Sequence, residues 1–120
     1  MSVTNKSNIK IQGRPISKKN SKLLIKVRGR TIMIPSKAYN EFRKDALVQL
    51  GKMKPLEPPY AVSYLFRMKG RLDTDIDNMI AGINDILQEA GAITDDKYIT
   101  NITATKISGC DEWLSEIIIN

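Results

Sequence analysis

Apolar and polar residues alternate from Asn8 to Gln12, which predicts a short strand. Leu23 to Val27 and Arg30 to Ile34 are β-branched-rich runs separated by Arg28-Gly29, the pattern of a hairpin. A helical period then takes over. Tyr39, Phe42, Ala46, Leu50 and Met53 recur along one stripe, Ser36 stands behind Pro35 as a helix cap, and Pro55, Pro58 and Pro59 end the run. Period-two alternation returns from Tyr60 to Met68, with Val62, Tyr64 and Phe66 on one face. A second helix is predicted over Asp77 to Ala90, stopped by Gly91. Strand Tyr98 to Ile107, a turn at Ser108-Gly109 and strand Trp113 to Ile119 complete the order. This succession predicts an α+β fold, a mixed β-sheet covered by two principal helices, in a single domain over residues 1–120.

Composition agrees with a packed core: 42% of residues are hydrophobic and 27% charged, which excludes a disordered chain. No apolar run approaches the roughly 20 residues that span a bilayer, so no membrane partner is expected. Met1 to Lys10 lack the apolar core of a signal peptide. The single Cys110 excludes an internal disulfide, which suits a reducing, cytoplasmic setting. Charge changes the picture more. Residues 1–69 hold 16 Lys or Arg against 3 Asp or Glu, whereas residues 70–120 hold 3 against 10. A basic half of this kind points to nucleic acid. The aperiodic stretch from Gly13 to Lys22 carries Arg14, Lys18, Lys19 and Lys22 and reads either as a phosphate-contacting arm or as a solvated loop.

Directly after the basic half comes an acidic knot, Asp73-Thr74-Asp75-Ile76-Asp77-Asn78, with a second pair at Asp95-Asp96. Carboxylates so gathered repel one another unless a cation neutralises them. At about 100° per residue, Asp77, Asn78, Ala81, Asn84 and Asp85 share one side of the second helix, opposite Met79, Ile80, Ile83, Ile86, Leu87 and Ala90. Asp75 and Asp77 form a clamp that Asp95 or Asp96 would close if the following strand pairs beside Tyr60 to Met68. Oxygen ligands without His or Cys favour Mg²⁺ or Mn²⁺ over zinc, and such an ion lowers the pKa of a bound water and neutralises a phosphodiester under attack. Other readings compete. Asp77 serves equally as a helix cap and Asp95-Asp96 as turn residues. A calcium loop is disfavoured, because Asn78 and Asn84 occupy the positions that need Gly and Glu.

Asp75-Ile76-Asp77-Asn78, then Asp85-Ile86-Leu87, Gly91 and Asp95-Asp96, resembles the RusA-type Holliday junction resolvases, small prophage-associated endodeoxyribonucleases of DNA recombination and repair. The basic segment from Arg14 to Lys19 and the helix start at Ser36 and Tyr39 extend the resemblance over most of the chain. It implies an α+β homodimer that binds branched DNA, the four-way junction, and makes paired Mg²⁺-dependent cuts. By position, Asp75, Asp77 and Asp96 match the family's catalytic and metal-binding carboxylates, with Asp95, Asp85 and Asn78 in support. Lys69, Arg71 and Lys97 flank these acids and join Arg14, Lys18, Lys19 and Lys22 as expected DNA contacts. One departure stands out: the family usually has a lysine where this chain has Ala81. Two further functions therefore stay open, a catalytically impaired binder of branched DNA with the same fold, and a basic phage structural or scaffold protein.

Overall fold

The computed structural model of the chain describes residues 7–18, 22–71 and 74–120. Its elements are β1 (Ser7–Gln12), β2 (Lys22–Val27), β3 (Arg30–Pro35), α1 (Lys37–Leu50), β4 (Tyr60–Lys69), α2 (Ile76–Ala90), β5 (Ile99–Cys110) and β6 (Leu114–Ile119). A short 3-10 turn, Asp96–Tyr98, precedes β5. The fold is α+β, as the pattern predicts. Four strands form a mixed sheet in the order β1-β6-β4-β5, and β2 and β3 pair as a separate two-stranded sheet.

The alternation along β4 decides which face becomes core. Tyr60, Val62, Tyr64, Phe66 and Met68 are buried, while Ser63, Leu65 and Arg67 on the other face stay half-exposed. Ile9 and Ile11 of β1 and Ile117 and Ile119 of β6 join the buried face. Onto it pack Met79, Ile83, Ile86 and Leu87 of α2 and Phe42 and Ala46 of α1. Each large apolar side chain removed from water contributes about 1.5–3 kcal/mol, so this single layer anchors both helices. Ser36 caps α1 as expected, its Oγ accepting the Tyr39 N–H at 3.1 Å. Among the described residues no helix is long and apolar enough to cross a membrane.

Two details differ from the sequence expectation, and a third, at Gly82, was not anticipated. β5 runs through Ser108-Gly109 to Cys110 instead of turning there, so the turn falls at Asp111-Glu112. Asn84, expected on the polar side of α2, is buried at 6% exposure because Tyr64 reaches it from β4: the Tyr64 hydroxyl donates to Asn84 Oδ1 at 2.5 Å. Gly82 is also buried, since the backbone of Ile16 lies against it. A Cβ at position 82 would stand 2.9 Å from the Ile16 carbonyl, so a glycine there lets the basic segment dock on α2.

Candidate functional site

Beyond β4 the chain reverses and enters α2 through Thr74 and Asp75. Thr74 is held from two sides. Arg14 Nη2 donates to its Oγ1 at 2.7 Å, and Lys106 Nζ, from β5, donates to its carbonyl at 3.0 Å. The Arg14 guanidinium also lies over the Trp113 ring, 5.2 Å from its centroid. This bracing fixes the backbone from which the first two acids project. Asp75 is the N-cap residue of α2, is exposed, and makes no side-chain capping bond. Asp77, in the first turn of the helix and also exposed, accepts the Asn78 N–H at 3.0 Å. The cap reading thus accounts for neither carboxylate in full: the cap position belongs to Asp75, whose side chain does no capping.

The second acidic pair lies elsewhere. Asp95 accepts the Lys97 N–H at 2.9 Å, and that bond holds its carboxyl below the usual range. Asp96 opens the 3-10 turn and is exposed. Its charge is felt by Asp85 and Tyr64. Burial raises the Asp85 carboxyl above its ordinary value, the Lys18 backbone N–H (3.4 Å) opposes this, and Asp96 adds repulsion. Burial pushes the Tyr64 hydroxyl up to about 12, against its bond to Asn84, and Asp96 again adds to the rise. Asp96 therefore belongs to a patch with Asp85 and Tyr64.

That patch is set apart from Asp75 and Asp77. From Asp77 to Asp85 the helix climbs about 12 Å. The cause is strand direction. β5 does pair beside β4, but in parallel, with Tyr60 opposite Ile99. The entrance to β5 lies at the start of β4, whereas Asp75 and Asp77 follow its end. Among the described residues no three His, Cys, Asp or Glu side chains converge closely enough to hold a metal ion. Asp75, Asp77 and Asp96 of one chain do not fit a shared ion.

The basic candidates divide as well. Lys69 and Arg71 are exposed at the end of β4, next to the acidic segment. Lys97 is exposed and lies 5.1 Å from the centre of the Tyr98 ring, beside Asp95. Lys18 is exposed next to Asp85, and Lys22 stands at the start of β2; Lys19 lies outside the described residues. Arg14 is exposed and reaches Thr74 and Trp113, so it braces the acidic segment. Lys106 and Trp113 share that task and were not singled out in the sequence. Lys106 stands at the parity of Ile102 and Ala104, and that break in the alternation, at the one basic residue after Lys97, was the signal that could have found it.

A family model for the endodeoxyribonuclease RusA matches residues 12–113, which takes in Arg14, both acidic segments and Trp113. A search of curated proteins found no match.

Proposed function

The chain belongs to the RusA family of endodeoxyribonucleases, and from that premise we propose that it cuts four-way DNA junctions as a Mg²⁺-dependent homodimer, with Mn²⁺ as an alternative ion, in recombination and repair. The observation that carries the reading is the pair of exposed carboxylates at Asp75 and Asp77, displayed by a backbone braced through Arg14 and Lys106. Such bracing serves positioned chemistry better than it serves a solvated turn. A scaffold protein has no use for it.

The separation of the acids supports the dimer. Among the described residues the outer edge of β5 has no strand partner in the sheet. Lys106 ties the Thr74 segment to the far half of β5, while Asp95 and Asp96 precede its beginning. Two copies paired antiparallel along this edge would set the start of one β5 beside the end of the other. Asp96 of one copy then faces Asp75 and Asp77 of the second, and the pair carries two such sites related by a two-fold axis, matching a junction cut twice.

A synthetic four-way junction incubated with the protein and Mg²⁺ or Mn²⁺, with cuts mapped on each strand, tests the function. Paired cuts in strands of like polarity are expected. Asp75→Asn, Asp77→Asn or Asp96→Asn should abolish cutting and leave binding intact or tighter, since repulsion of phosphate falls. Full cutting by Asp75→Asn or Asp77→Asn would overturn the assignment. Binding without any cutting by the unaltered protein would favour the impaired binder, for which Ala81, half-buried on α2, is the specific observation.

A further inference from the structure

The β2–β3 hairpin is unused by the site described above, and its chemistry is distinctive. Among the described residues it pairs with no other strand. Leu24 (68% exposed) and Met33 (63%) face each other on one side of the ribbon, while Val27 and Ile32 are exposed on the opposite side. Exposure on both faces means that the outer part of the ribbon does not lie on the body of the molecule, whose extents are 62 × 33 × 25 Å.

Towards the tip the ribbon turns cationic. Lys26, Arg28 and Arg30 are exposed and make no hydrogen bond or ion pair to the described residues, and Thr31 stands opposite Lys26. The first 40 residues of the chain contain no Asp or Glu. The turn itself is revealing. Arg28 and Gly29 both have positive φ, 52° and 79°, the geometry of a tight two-residue hairpin turn in which Asn-Gly or Gly-Gly is the favoured pair. Arginine in the left-handed region carries a conformational cost that no hydrogen bond or ion pair of its side chain to the described residues offsets. A residue that breaks a local rule without internal return points outward, to a ligand.

We propose that the β2–β3 ribbon is a DNA-contacting arm whose tip, Lys26, Arg28 and Arg30, grips the phosphates of a junction limb away from the cutting site. A two-stranded ribbon has the width that the major groove admits, about 12 Å. A polyanion suits the tip better than a second copy of this chain does, because each copy carries a net +6 and would repel it. The proposal rests on the reading of the protein as a junction nuclease and extends it to an element outside the carboxylate site.

The test is equilibrium binding of a synthetic four-way junction, without divalent cation, across a salt titration, for the unaltered protein and an Arg28→Asn/Arg30→Gln variant. Asn suits the left-handed turn, so the hairpin is retained. Loss of two phosphate contacts should reduce the slope of log K against log salt by about 1.8, or 0.9 for each cation. An unchanged slope, with the unaltered protein binding normally, overturns the arm and leaves the nuclease reading intact. Failure of the unaltered protein to bind the junction overturns both. Conversion of a dimer to a monomer by Leu24→Ser/Met33→Ser, combined with an unchanged slope in the arginine variant, would make the ribbon a self-association arm instead.

Discussion

Tyr64 ends in a hydroxyl within a core built mainly from Ile, Phe and Met. Burial lifts its pKa to about 12, so the group stays protonated through the working pH range and remains a fixed donor to Asn84. The bond ties α2 to β4 beside the packing of Met79, Ile83, Ile86 and Leu87. Tyr64→Phe removes the donor and leaves a buried amide oxygen unsatisfied, which should cost about 1–3 kcal/mol. Urea unfolding of the two proteins measures this, and equal midpoints would show that the bond contributes nothing. Helical spacing groups Asn84 with Asp77 and Asp85, and that grouping misplaces it. Spacing describes one helix at a time, whereas a buried amide depends on a partner that another element supplies.

At the scale of elements, the segment from Gly13 to Lys18 comes closest to α2 where the Ile16 backbone lies against Gly82. Gly82→Ala places a methyl 2.9 Å from the Ile16 carbonyl, so the segment must lift away from the helix. Arg14 then loses Thr74 and Trp113, and the acidic segment loses one of its two braces. Overpacking of this kind costs about 1–3 kcal/mol. Displacement of a positioned group by about 1 Å can cost as much as 10²-fold in rate. Junction cutting should therefore fall well beyond what the loss of folded protein explains, and the comparison needs single-turnover rates beside a thermal melt. Equal fractional losses in both would show that the brace has no positioning role. The elements themselves were legible, since periods of 2 and 3.6 mark β4 and α2 without help from the rest of the chain. Strand direction was not. Closing the clamp was conditional on the strand after Asp95-Asp96 pairing beside Tyr60 to Met68; it does pair there, but alternation is the same read in either sense. The parallel sense carries Asp96 to the wrong end of β4 to close the clamp within one chain.

For the whole molecule, a site completed between two copies makes a prediction that a site within one chain does not. Asp75→Asn and Asp96→Asn proteins, each inert alone, should regain activity when mixed and allowed to exchange subunits. In the mixed dimer one site carries both changes and the other carries neither, so each junction should be cut in one strand. No recovery on mixing, with exchange verified, would place the site within a single chain. The strand order has a further consequence, for biosynthesis. β6 lies between β1 and β4, although it follows both in sequence. A nascent chain that has left the ribosome only as far as Lys106 cannot join β1 to β4, and one edge of the apolar strand β4 stays open. At about 5–20 residues per second, the strand that closes this edge emerges seconds after β4 itself. The sheet is thus assembled around a late insertion and not domain by domain during translation. That interval is when the unfinished chain is most open to chaperones and to pairing with its neighbours on a polysome.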